Sequence, residues 1–188
     1  MIDTKEKLRE CLETEENLYR NIGYKGKMHA ALTRCEVGRI FEYVVSLRKD
    51  EYYSNKEKKY IWDNIKAVYY RRKHNVIGIE LGMSIPINTF GKGLLIYHSQ
   101  GIIVHRNSRS GEYCRLHGLN CIGNNGSEGL SGYPQIGNCL DLGVGAKIIG
   151  DVELGNNIKV GSNAVVCKSY PEDDITLIGV PAKPIKGN

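Results

Sequence analysis

Every sixth residue from Ile136 onward is aliphatic: Ile136, Leu142, Ile148, Leu154, Val160 and Val166 form one column, and glycine follows at 137, 143, 155 and 161. A second column, four places on, is Leu140, Ala146, Val152, Ile158 and Ala164, again apolar or small throughout. Neither a 3.6-residue helical period nor the alternation of a half-buried strand produces this pattern. A period of six suits a coil of three short faces, each turning one aliphatic side chain inward. Gly, Asn and Asp then collect at the corners, where the backbone takes unusual angles. The repeat predicts a parallel β-helix, whose coils bury their apolar rows against one another.

Upstream the period is less regular. Phe90, Ile96 and Ile102 share one register, and Val104, Ser110, Leu116 and Ile122 share another. Ile136 follows Ile122 by fourteen positions, two more than two repeats need, so the polar, Gly-rich segment 124–133 reads as a loop leaving the coil. Cys121 and Cys139, eighteen apart, are expected to stack in successive coils. Near the C-terminus, Pro181 and Pro184 stop strand pairing and predict a closing segment over the last coil.

Composition divides the chain in two. Residues 1–75 hold 17 Lys and Arg, 12 Asp and Glu, and three glycines, whereas nineteen of the 22 glycines follow. We therefore expect a helical segment over 1–75 and a β-helix domain over 76–188. Asp3 with Glu6 has the form of a capping box opening an acidic amphipathic helix to about Tyr19. A second periodic stretch runs from Met28 to about Lys49, with Leu32, Cys35, Ile40, Val44 and Leu47 as its stripe. Ser54 and Glu57 suggest a second capping box. It would open a helix with an apolar face of Tyr60, Ile61, Ile65, Val68 and Tyr69 around Trp62, ending in Arg71-Arg72-Lys73-His74, where cations suit the negative end of the dipole.

No stretch reaches the roughly 18 consecutive apolar residues of a membrane span, and Met1-Ile2-Asp3-Thr4-Lys5-Glu6 lacks a signal-peptide core. The six cysteines form no C-x-x-C pair and read as reduced, structural thiols of a cytoplasmic protein. Interleaved acids make the basic helix a solvated face, so no nucleic-acid partner is expected.

Several runs resemble the hexapeptide-repeat acyltransferases: the [Ile/Leu/Val]-Gly column, Gly143-Val144-Gly145-Ala146-Lys147-Ile148-Ile149-Gly150, and the Gly179-Val180-Pro181-Ala182-Lys183 ending. Ile85-Pro86-Ile87-Asn88 through Gly93-Leu94-Leu95-Ile96-Tyr97-His98-Ser99-Gln100-Gly101-Ile102 is similar to the serine O-acetyltransferase branch, which includes relatives from polysaccharide gene clusters. The resemblance spans about 76–186. It implies a left-handed parallel β-helix, homotrimers, acetyl-CoA as donor, no metal, and active sites in clefts between subunits. It also implies His98 as general base for direct acetyl transfer to a hydroxyl, a task suited to a neutral imidazole. The oxyanion would be met by corner amides near Gly123-Asn124. Coenzyme A would lie along Val144, Gly145, Ser162 and Lys159, with Lys168 or Lys183 near its phosphates.

Cys114-Arg115-Leu116-His117 matches the polysaccharide-cluster relatives. His117 follows His98 by nineteen residues, about one coil, so both are expected at one corner with His117 binding the acceptor or serving as base. Where serine acetyltransferases carry aspartates, this chain has Met83 and Tyr97, and Gly132-Tyr133 stands at their serine-holding Arg-His pair. These departures favour a sugar or sugar nucleotide as acceptor over L-serine. Glu80 is the acidic side chain we expect to orient His98, with a backbone carbonyl as the alternative. Two other classes compete. One is a scaffold that has lost the chemistry. The other is a metal-dependent lyase like the carbonic anhydrases of the same helix type, for which His98, His105 and His117 would have to supply the ligands at spacings unlike that family's.

Overall fold

A computed structural model describes residues 1–124, 126 and 132–185. The expected loop at 124–133 therefore lies largely outside the described residues. The first face of the β-helix stacks β1 (Met83–Ser84), β3 (Ile102–Val104), β6 (Cys121–Gly123), β9 (Lys147–Ile149) and β12 (Val165–Val166). The second stacks β4 (Arg109–Ser110), β7 (Gln135–Ile136) and β10 (Glu153–Leu154). The third stacks β2 (Leu95–Ile96), β5 (Arg115–Leu116), β8 (Asp141–Leu142), β11 (Lys159–Val160), β13 (Thr176–Gly179) and β14 (Ala182–Pro184). Coil-to-coil pairing is parallel throughout, except for the β13–β14 hairpin that closes the last coil.

Both sequence columns point into this barrel: Leu142, Ile148 and Val166 are inaccessible to solvent, as are Ala146 and Ile158 of the second column. Upstream, Phe90, Ile96, Ile102, Val104, Leu116 and Ile122 join the same core. A side chain buried in such a row is worth roughly 1.5–3 kcal/mol. The period fixes the inside of the coil because every six-residue step turns the same two positions inward.

Two register expectations are corrected. Cys121 pairs with Lys147, a step of 26, whereas Gln135 pairs with Glu153, a step of 18. The excursion between β6 and β7 therefore adds eight residues, not two: Ile136 follows Ile122 by a single repeat plus the insert. For the same reason Cys121 does not stack on Cys139, which is exposed at a corner with φ 59°.

Four helices precede the coils: α1 (Lys5–Asn21), α2 (Lys27–Thr33), α3 (Glu36–Asn55) and α4 (Ile61–Leu81). They cover the open edge of the first coil with side chains. Leu94 N–H donates to Glu15, Ile96 N–H to the Tyr19 hydroxyl, Ile85 N–H to the Tyr43 hydroxyl, and Asn88 N–H to Glu51. Arg48 on α3 donates in return to the carbonyls of Phe90 and Gly91 at 3.0 and 2.6 Å. An unpaired strand edge is thereby matched donor for acceptor.

Local detail departs from the sequence reading. Thr4, not Asp3, caps α1, accepting from Lys7 N–H, while Asp3 pairs with the Lys7 ammonium. The stretch expected as one helix from Met28 breaks at Arg34, in the left-handed region at φ 50°. Ser54 lies inside α3; the cap of α4 is built by Tyr60 and Asp63 instead. Arg71–His74 does not end a helix, because α4 continues to Leu81 and stops at Gly82, a left-handed C-terminal glycine. The helical part thus extends past the boundary expected at 75. His74 is buried between Asp50 and the Tyr43 hydroxyl. Ile61, Trp62, Ile65, Val68 and Tyr69 do share a face of α4, beside the N-cap Tyr60, but that face is exposed. No helix among the described residues is long and apolar enough to cross a membrane.

Candidate functional site

One corner of the β-helix collects the predicted chemistry. Between the third face and the first, successive coils turn at 98–101, 117–119, 143–145 and 161–163. Backbone hydrogen bonds stitch these turns together: Leu119 N–H to Gln100 C=O, Gly145 N–H to Gly118 C=O, and Asn163 N–H to Val144 C=O, at 3.1, 2.9 and 2.9 Å. Gln100, Gly101, Gly118, Leu119, Gly145 and Asn163 all have positive φ. Gly118 has a second reason to be glycine: a Cβ there would lie 3.3 Å from the Cβ of His98. The corner therefore carries His98, His117, Val144, Gly145 and Ser162, and the nineteen-residue spacing of the two histidines predicts that they share it.

His98 heads the column with its side chain 67% exposed. Its Nδ1 lies 3.4 Å from Glu36 Oε2, on the first turn of α3. Among the described residues its Nε2 has no hydrogen-bond partner. The Glu36 carboxyl is held below the usual glutamate range, chiefly by the Ser99 backbone N–H it accepts. An ionised carboxylate only accepts, so a neutral imidazole bonded to it donates from Nδ1 and keeps its lone pair on Nε2. His117 is more enclosed: its ring stacks on Tyr97 at 4.4 Å, and its Nε2 lies 2.8 Å from Asp141 Oδ1. Asp141 also approaches Arg115 on the preceding coil at 3.8 Å.

Other expectations separate. Glu80 does not reach His98; it pairs with Arg39. Gly123 ends β6 and Asn124 follows it, at the opposite end of the first face, with Gly123 beside His105. Within one chain their amides thus sit a full strand away from the His98 corner, because β3 intervenes. Lys168 follows β12 at that same far corner. Lys159 lies in register with Asp141 on the third face, and Lys183 sits on β14 at the closing edge. His105 stacks on Tyr133 and joins neither His98 nor His117. Among the described residues no three His, Cys, Asp or Glu side chains cluster as a metal would need. All six cysteines are free, and burial pushes the Cys11 and Cys114 thiols up to about 12. A cavity of about 640 Å³ between the helices is lined by Lys27, Arg34, Lys49, Lys73 and Glu80 among others, and neither His98 nor His117 is part of its lining.

Sequence reasoning missed Glu36 and Asp141. Glu36 stands 62 residues before His98 and belongs to another element, so no local spacing signals it. Asp141 follows His117 by 24 residues, a separation that the loop insert disguises.

Comparison with known proteins fits this architecture. The chain superposes on the serine acetyltransferase of Brucella abortus with a TM-score of 0.72 over 96% of its own length and 70% of that chain, at 20% identity. Soybean serine acetyltransferase complexed with serine gives 0.69 over 96% and 70%, at 21% identity. The fold is that of the serine acetyltransferases. It is the left-handed parallel β-helix preceded by helices that the repeat and its resemblance imply. In sequence the chain is 30% identical over 108 residues to the serine acetyltransferase of Synechococcus elongatus, covering 57% of this chain and 43% of that protein. It is 29% identical over 109 residues to a Staphylococcus aureus serine acetyltransferase, covering 58% and 49%. The chain spans about half the length of the curated relatives it matches. No protein-family model matches it.

Proposed function

We propose that the chain is an acetyl-CoA-dependent O-acetyltransferase that moves acetyl directly to the hydroxyl of a small acceptor. The observation that carries this reading is the placement of an exposed His98, whose Nε2 is unengaged among the described residues, at the head of the corner column that continues through Val144, Gly145 and Ser162. The donor supplies a thioester carbonyl. His98 Nε2 takes the hydroxyl proton as the acceptor oxygen attacks that carbonyl, and returns it to the departing sulfur, so no proton is left unaccounted for. The narrow glycine-lined corner suits a pantetheine arm, and Lys159 on the third face or Lys183 at the closing edge would meet phosphates, Lys168 standing at the far corner. A cysteine acyl-enzyme is not required, and thiols raised as far as those of Cys11 and Cys114 are poor nucleophiles.

L-Serine is the first candidate acceptor, since the relatives are serine acetyltransferases. A sugar or sugar-nucleotide hydroxyl, in surface-polysaccharide biosynthesis, is the second reading. It is favoured by Tyr97, which stacks on His117 where serine acetyltransferases carry an aspartate, and by buried Met83 at their other acidic position. A homotrimer fits the exposed apolar Leu119 and Val144 on the candidate corner, where a neighbouring subunit would complete the cleft. Such a partner would also supply the oxyanion donors that Gly123 and Asn124 do not provide within one chain. A cytoplasmic setting suits the donor and the free cysteines.

The test is thiol release from acetyl-CoA with L-serine and a panel of sugars and nucleotide sugars. Turnover with at least one hydroxyl acceptor is expected, falling about 10²–10⁴-fold in His98→Ala. Wild-type turnover in that variant would remove His98 from the chemistry; turnover with no acceptor would favour the scaffold.

A further inference from the structure

Glu36 opens α3, where an acidic residue ordinarily interacts with the helix dipole alone. Its contacts here go further. Both carboxylate oxygens reach across to the turn that presents His98: Oε1 accepts from Ser99 N–H at 2.9 Å and from the Ser99 hydroxyl at 3.0 Å, while Oε2 faces His98 Nδ1 at 3.4 Å. Two donors of one residue fix the position of one oxygen, so the second cannot swing away from the imidazole without breaking both bonds. The pairing joins residues 62 and 63 positions apart, and it ties the helical segment to the candidate corner.

We infer that Glu36 is a positioning residue that holds the His98 imidazole in its Nδ1–H tautomer, leaving the Nε2 lone pair facing outward as the base. The inference rests on the acetyltransferase reading for its catalytic consequence, but the tautomer itself does not depend on it. Glu36 is kept ionised by the Ser99 donors and has no proton to give, so it can only accept from the ring. A glutamine of the same shape changes this. Its oxygen can still accept from Ser99, but its NH₂ then faces Nδ1 and demands a lone pair there. The substitution should invert the tautomer, place the proton on Nε2 and disable the base without disturbing the helix.

The experiment labels the protein with ¹⁵N-histidine and reads two-bond ¹⁵N–¹H correlations of His98, assigned with His98→Ala, in wild type, Glu36→Gln and Glu36→Asp. Wild type is expected as Nδ1–H and Glu36→Gln predominantly as Nε2–H; Glu36→Asp keeps a carboxylate and should retain the wild-type tautomer at least in part. Circular dichroism establishes that each variant is folded. In the thiol-release assay, Glu36→Gln should lower kcat about 10²–10⁴-fold with the KM for acetyl-CoA within about twofold, the pattern of a misplaced proton. An unchanged tautomer in Glu36→Gln, or wild-type His98 found as Nε2–H, overturns the assignment. If the tautomer inverts but no acceptor is acetylated by wild type, Glu36 stands and the acetyltransferase reading falls. If Glu36→Gln transfers acetyl at the wild-type rate, the positioning role falls and the reaction stands.

Discussion

Arg48 shows how a single side chain can join two architectures. It is 1% exposed, with Glu15 of α1 at 2.7 Å, Glu51 of its own helix at 2.9 Å, and the Phe90 and Gly91 carbonyls of the first coil beyond. A planar guanidinium can serve four acceptors at once, whereas a lysine ammonium has three donors and no fork. Truncation to Arg48→Ala would leave two buried carboxylates facing each other without a cation. Such a loss costs about 3–5 kcal/mol, which for a chain of this size lowers Tm by roughly 10 °C. A thermal melt checks this; a change within 2 °C would mean that water or a rearranged partner replaces the guanidinium. Nothing in the sequence marks Arg48 as buried, because arginine is seldom found inside proteins and its partners come from three separate elements. Glu36 and Asp141 were missed for the same reason, each finding its histidine through tertiary contact.

At the scale of the coil, glycine does two jobs that the hexapeptide pattern does not distinguish. Gly118 and Gly145 sit in the left-handed region at φ 110° and 73°, where a side chain is strained whatever the space. Gly137 has no such angle; it is small because the next coil is close, and a Cβ there would meet the Gly155 carbonyl oxygen at 2.6 Å. That obstacle is backbone, so it cannot rotate away. Gly137→Ala is expected to destabilise by about 1–3 kcal/mol, whereas Gly123→Ala, with 3.6 Å to the nearest side-chain atom, should be nearly silent. Denaturant midpoints of the two variants compare them directly; equal midpoints would mean that the coils can slide apart at Gly137. The period legibly placed the two inward columns between Ile136 and Val166, but it did not mark Leu94, Leu95 or Leu177, which are buried as well. It misjudged the step across the loop insert, since a gap of fourteen residues is compatible with more than one number of turns.

For the whole molecule, the helices close one end of the β-helix and the β13–β14 hairpin closes the other. What stays open is apolar surface: the α4 face around Trp62, and Ile103, Leu119 and Val144 on the coils. Exposed apolar surface on this scale is characteristic of a contact surface. The proposed homotrimer should sediment at about three times the 21.0 kDa chain mass. A monomer at micromolar concentration would remove the shared cleft from the proposed mechanism.

Taken by itself, the sequence determined the β-helix, the inward rows, the helical character of the first part and the corner that His98 and His117 share. Each of these follows from a short-range period or spacing, and a period of six admits one cross-section. Tertiary structure decided what those spacings could not carry: where α4 ends, how the first coil's open edge is satisfied, which carboxylate faces which histidine, and that Gly123 and Asn124 turn at a different corner from His98. These depend on contacts between residues tens of positions apart, and only the assembled packing brings such residues within hydrogen-bonding distance.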